Sequence, residues 1–201
     1  LQNDMDAETM REFVEDIGSE AERLNRMTAK LLSLTKVDGQ PLQESELIRM
    51  APTIRRVAKM LKPVAEKSGV TLELKLDEDS TVLITRDDLY QIVFNLMENG
   101  IKYNRPGGTV TVTLTRGIDL AKLTVTDTGM GIPAEALDHI FERFYRVDKA
   151  RSRQTGGSGL GLAIVRAIIN RNRGEIQVDS CPGKGTAFTV TFPMFDTEVD
   201  T

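Results

Sequence analysis

Five β-rich runs, four of them paired across a tight turn, constrain this chain more than any other feature. Val70-Thr-Leu-Glu-Leu-Lys-Leu76 alternates with period two, the pattern of a strand half exposed to water. Thr109–Arg116 and Leu120–Asp127 follow one another across Gly117 and read as a hairpin. Glu175–Ser180 and Thr186–Phe192 do the same around Pro182-Gly183-Lys184-Gly185. Hairpins make antiparallel neighbours, so the runs call for an antiparallel-rich sheet. Shorter strands are expected at Leu42–Leu47 and Thr81–Thr85. One face of such a sheet needs cover, and the helix-period segments between the runs supply it.

Residues 50–68 set Ile54, Val57, Ala58, Leu61, Val64 and Ala65 on one helical face, with Pro63 predicting a kink or early stop. A second helix starts at Asp87 or Asp88 and runs to about Tyr103. A short helix is expected over 134–141 and an apolar one over Gly159–Arg171. Ahead of these, residues 6–36 read as one long helix. Met10, Phe13, Ile17, Leu24, Met27, Leu31 and Leu34 recur in steps of three and four, with one gap, as in a helix pairing with another helix. A helix docked on its own domain is the plainer alternative, but globular helices average about 11–12 residues. Asp38-Gly39-Gln40-Pro41 breaks the pattern. The expected division is a helical piece over 1–38, an α+β domain over 39–195 and a polar tail over 196–201.

Composition removes several functions. One histidine and one cysteine among 201 residues exclude a multi-His metal site and an intrachain disulfide framework, with a reducing compartment as the default. No Trp, 5% aromatics and a net charge of −4 argue against nucleic acid as a partner. No apolar run approaches the roughly 18 residues of a membrane span. The start, LQNDMDAETMREF, has no signal-peptide layout and no initiator Met, so the chain reads as an excised piece.

Four clusters carry candidate chemistry. Asn95, Asn99, Lys102 and Tyr103 follow one another at helical spacings of four, three and one. Amide oxygens can ligate a hard cation and Lys can meet a phosphate, although such residues near a helix end are often plain caps. Asp127-Thr-Gly129-Met-Gly131-Ile132-Pro133 closes a strand with a carboxylate and turns sharply. A partly buried carboxylate suits an exocyclic amine such as that of adenine, and a simple capped turn is the alternative. Gly157-Ser-Gly159-Leu160-Gly161-Leu162 feeds an apolar helix whose N-terminal N–H groups suit phosphate. It matches neither G-x-G-x-x-G nor a P-loop. Arg143, Arg146, Lys149, Arg151 and Arg153 form a basic stretch just before it, either a solvated face or a mobile lid meeting polyphosphate.

In this order the clusters resemble the ATP-binding catalytic domain of sensor histidine kinases, in the superfamily shared with gyrase-type and Hsp90-type ATPases. Asn95 to Asn104 resembles the N box, Asp127-x-Gly129-x-Gly131 the G1 box, and Phe141-Glu-Arg-Phe144-Tyr145 the F box. Gly157-x-Gly159-x-Gly161-Leu162 resembles the G2 box and Gly183-x-Gly185-Thr186-x-Phe188 the G3 element. Residues 7–36 are similar to the second helix of the dimerisation and phosphotransfer hairpin. The resemblance implies a two-layer α/β sandwich of the Bergerat type, a mixed sheet covered by helices and preceded by one long helix.

It also implies roles. Asp127 would bind the adenine amino group, and Asn99 with Asn95 would hold Mg²⁺ and phosphates. Lys102 would contact phosphate, and Tyr103 would lie against the nucleotide. Gly129, Gly131, Ile132, Gly157, Gly159, Leu160 and Gly161 would shape pocket and lid. Phe141 and Phe144 would anchor the lid, Arg146, Lys149, Arg151 or Arg153 would reach the γ-phosphate, and Thr186 would sit near the base.

Two departures sharpen the reading. The family's acceptor histidine lies on the first hairpin helix, which this sequence lacks; its single histidine, His139, precedes the F box. The ATPase branches carry a water-activating Glu where this chain has Asn95, an amide that cannot act as a base. Phosphoryl transfer to a protein acceptor is therefore expected over hydrolysis. The implied partners are ATP, the acceptor-His helix of its own or a second subunit, and a response-regulator receiver domain. The implied setting is the cytoplasm, with a homodimeric parent that is membrane-anchored or soluble. A nucleotide-binding pseudokinase scaffold and an anti-sigma-type serine kinase are the alternatives.

Overall fold

A computed structural model of the chain describes residues 45–76, 79–147 and 158–195. The expected helix over 6–36, the boundary at 38–41 and the tail over 196–201 lie outside the described residues. The described elements run β1 (Glu46–Arg49), α1 (Met50–Lys67), β2 (Thr71–Leu76), β3 (Thr81–Ile84), α2 (Arg86–Lys102), β4 (Thr109–Arg116) and β5 (Leu120–Asp127). After a 3-10 turn at Ala134–Ala136 come α3 (Gly161–Arg171), β6 (Glu175–Cys181) and β7 (Gly185–Pro193).

The main sheet has the order β2-β4-β5-β7-β6. Its β2–β4 pair is parallel and the other pairs are antiparallel, as the hairpin turns require. β1 and β3 form a separate antiparallel pair. Register aligns Val112 with Val125 and Phe188, and Leu114 with Leu123 and Val190. All six are buried, so one face of the sheet is a continuous apolar surface. The opposite face carries threonines; Oγ1 of Thr124 and of Thr189 lie 3.4 Å apart across β5 and β7. α2 packs on β4 and β5 and is flanked by α1 and α3. The result is an α+β sandwich of two layers, a mixed sheet beneath a layer of helices.

Three local expectations change. Pro63 lies inside α1 without ending it, because it sits on the exposed side, where water can meet the carbonyl one turn earlier. Val64 is half exposed rather than part of the apolar face. Residues 134–141 form a 3-10 turn and successive tight turns instead of a helix. Only Ala136 and Ile140 of that stretch are buried, too little apolar surface to sustain a helix. No described helix is long and apolar enough to cross a membrane.

Candidate functional site

The period-two alternation of β5 puts Asp127 on the same face as Ala121, Leu123 and Val125, beneath the helices. It is the last residue of the strand, level with Val110 of β4 and Thr186 of β7. Its carboxylate is nearly buried and accepts the Gly129 N–H at 2.8 Å. Burial pushes the Asp127 carboxyl above the usual value; N–H groups of Gly129 and Thr186 oppose the shift. The folded chain therefore holds this proton to higher pH than the unfolded chain. The stability linked to it is full below the ordinary value near 3.8 and lost as pH rises through the raised native value. Asp127→Asn removes that loss. Denaturation midpoints should show the variant as the more stable at neutral pH, with the gap closing in acid.

α2 lies close to Asp127 because of a residue that motif spacing does not flag. A Cβ at Gly100 would lie 3.1 Å from Val110 Cγ2 and 3.5 Å from Asp127 Cβ. A larger side chain there would press on Val110 and on the Asp127 side chain. Asn95 is buried one turn earlier, its Nδ2 donating to the Gln91 carbonyl at 2.7 Å. Its Oδ1 is turned to the start of α3, 2.9 Å from where a Cβ at Gly161 would stand. Asn95 thus offers an oxygen, the donor a hard cation prefers. Asn99 and Lys102 are half-buried; the Lys102 ammonium lies 5.5 Å over the ring of Tyr103, which is exposed at the end of α2.

The loop after Asp127 is clamped from both sides. Met130 N–H donates to the Tyr103 carbonyl at 3.1 Å, and Gly183 N–H donates to the Met130 carbonyl at 2.7 Å. Gly131 has φ +69°, and a Cβ there would meet the Cys181 carbonyl, so only glycine lets the β6–β7 turn close on this loop. Ile132 N–H donates to Ser180 Oγ at 2.8 Å, and Ser180 Oγ lies 2.9 Å from Oγ1 of buried Thr186. Ser180, another residue the motifs leave out, joins the Ile132 end of the loop to Thr186.

At the opposite end, Leu160 is fully buried and Gly159 accepts the Phe144 N–H at 2.9 Å. Phe141 packs on the core, edge-on to Phe188 at 6.5 Å, with the Arg166 guanidinium over its ring. Phe144 is half exposed, has φ +66°, and lies against the backbone of Gly159. Nε and Nη2 of Arg146 are buried with no hydrogen-bond partner among the described residues. Lys149, Arg151, Arg153 and Gly157 lie outside the described residues. His139 is on the surface, its Nδ1 2.7 Å from Glu142 Oε1, which raises its pKa. A buried carboxylate beside a clamped loop stands at one end of the arrangement. The Asn95 amide oxygen, against the start of α3, lies earlier on α2, the helix that packs on the strand of Asp127.

Residues 84–196 match the family described as histidine kinase-, DNA gyrase B- and HSP90-like ATPase. Sensor histidine kinase RppB of Synechocystis sp. is 36% identical over 179 residues, 88% of this chain and 39% of that protein. Sensor histidine kinase WalK of Bacillus subtilis is 35% identical over 185 residues, 90% of this chain and 30% of that protein. The chain thus spans well under half the length of these curated relatives. Among solved structures, the mycobacterial sensor histidine kinase MprB superposes with a TM-score of 0.64 at 29% identity, over 75% of this chain and 97% of that one. Full-length ShkA in complex with AMPPNP superposes with a TM-score of 0.77 at 26% identity, over 96% of this chain and 40% of that one.

Proposed function

The chain belongs to the histidine kinase-, DNA gyrase B- and HSP90-like ATPase family, and from that membership we propose that it is the ATP-binding catalytic part of a two-component sensor histidine kinase. The observation that carries the reading is Asp127, a buried carboxylate at a strand end with its loop held in place on both sides. Such a carboxylate accepts a hydrogen bond from the adenine amino group, while Gly129, Gly131 and Ile132 bound the base and Thr186 supports its edge. Tyr103 lies against the nucleotide. Lys102 and the N-terminal backbone of α3 at Gly159, Leu160 and Gly161 meet the phosphates, together with Gly157.

The cation implied by this family is Mg²⁺, and the oxygen that Asn95 presents fits it. Asn95 and Asn99 would hold it, and it would supply charge neutralisation on the phosphates. Arg146, with two buried donors unpaired, is the best-supported contact for the γ-phosphate; Lys149 belongs to the same proposal. An imidazole nitrogen of the acceptor histidine attacks the γ-phosphorus, the bond to the β-bridging oxygen breaks, and ADP leaves. Asn95 cannot take a proton from water, so transfer outruns hydrolysis. Positioning and charge neutralisation then carry the rate.

The receiver domain of a response regulator is the proposed next acceptor, in a homodimeric parent working on the cytoplasmic side. The complex of full-length ShkA with AMPPNP supports an adenine nucleotide as a ligand of this chain. The test supplies a His-bearing hairpin helix in trans with labelled ATP. The expected product is acid-labile phosphohistidine on the added helix, with none on this chain. Acid-stable phosphoserine, or nucleotide binding without transfer, would overturn the reading.

A further inference from the structure

Buried polar side chains normally find a partner, and those that do not mark places where one arrives. Four such atoms occur among the described residues: Ser80 Oγ, Gln91 Oε1, and Nε and Nη2 of Arg146. The last three belong to two residues, and they are complementary: one acceptor and two donors. Gln91 lies one turn before Asn95 on α2, and its main-chain carbonyl takes the Asn95 Nδ2. Asn95 Oδ1 lies against Gly161 at the start of α3. Two residues earlier, Gly159 accepts the Phe144 N–H, two residues before Arg146. This run of contacts links the backbone at Gln91, through Asn95 and the start of α3, to the segment that carries Arg146, around the place where the nucleotide phosphates are proposed to lie.

We propose that Gln91 is a positioning residue for the γ-phosphate. Its Oε1 accepts a hydrogen bond from one edge of the Arg146 guanidinium when nucleotide binds, which aims the remaining N–H groups at the terminal phosphate. The guanidinium presents five donors in a planar fork, so one edge can be held while the other reads an anion. A neutral amide is the right holder, because a carboxylate there would pair with the guanidinium and repel the phosphate. The inference rests on the reading of Arg146 as the γ-phosphate contact.

The test compares ATP with ADP by titration calorimetry on the full chain, for the wild type, Gln91→Met, Gln91→Ala, Arg146→Ala and Gln91→Met/Arg146→Ala. Both Gln91 variants are expected to lose about tenfold in ATP affinity, with ADP affinity unchanged, as for loss of one hydrogen bond to a charged group. ADP serves as the folding control, and a packing defect would weaken both nucleotides, Ala more than Met. The double variant should lose no more than Arg146→Ala alone. Equal losses for ATP and ADP, an unchanged ratio, or additive losses in the double variant overturn the role of Gln91. An unchanged ratio in Arg146→Ala overturns the Arg146 reading itself.

Discussion

Asp127→Ala is expected to lower ATP affinity at least about a hundredfold while the chain stays folded. Two effects add. The ligand amine loses a charged acceptor, worth about 1.5–3 kcal/mol. The Gly129 N–H, which donates to Asp127 at 2.8 Å, loses its partner in a buried corner, and the loop it orders loosens. Thr186 donates to the same carboxylate and loses that contact too. The fold tolerates the change because the carboxylate's own burial is unfavourable to its charged form. Calorimetric titration with ATP checks the affinity and circular dichroism the fold. Unchanged affinity would remove Asp127 from the site and leave the adenine end without a specific acceptor.

Arg171→Met is expected to cost about 3 kcal/mol of stability, with nucleotide affinity nearly unchanged wherever the protein remains folded. Nη2 of Arg171 lies 2.6 Å from each oxygen of Asp88, and Asn172 Nδ2 adds a third contact at 3.0 Å. Asp88 is buried in the first turn of α2, where its own N–H bonds Thr85 Oγ1. Removing the guanidinium strands a buried carboxylate. The pair ties the beginning of α2 to the end of α3, at the other end of α3 from Gly161 and Asn95. Urea denaturation measures the loss. Asp88→Leu/Arg171→Met should be less destabilised than Arg171→Met alone, because no uncompensated charge remains. A double variant as weak as the sum of the singles would show that the two residues are not coupled and would sink the prediction.

The strands and the main helices were legible from periodicity because burial of one face repeats along each element. Asp127 is an instance. Its parity with Leu123 and Val125 already sets it on the covered face, and the two glycines after it already announce a turn. Gly100 left only a faint signal, a glycine inside a helix where it weakens the element. Its reason is a close approach to Val110 and Asp127 that exists only once α2 lies on the sheet. Ser180 and Gln91 left none. Both look like ordinary polar residues until β6 is set beside the loop at Ile132, and until Nε and Nη2 of Arg146 are found buried with no hydrogen-bond partner among the described residues.

The sequence by itself determined the alternation of strands and helices, the hairpins, and the order of the residue clusters that bear the chemistry. Those are properties of near neighbours, in which propensity, period and turn chemistry act over a few residues. Only the tertiary structure decided which of those residues face one another. It set Asp127 level with Thr186, Asn95 Oδ1 against the start of α3, and Asp88 against Arg171, 83 positions away. Side-chain partners so distant are chosen by sheet register and by how closely helices can approach. Both depend on all the packed elements at once and repeat nowhere along the chain.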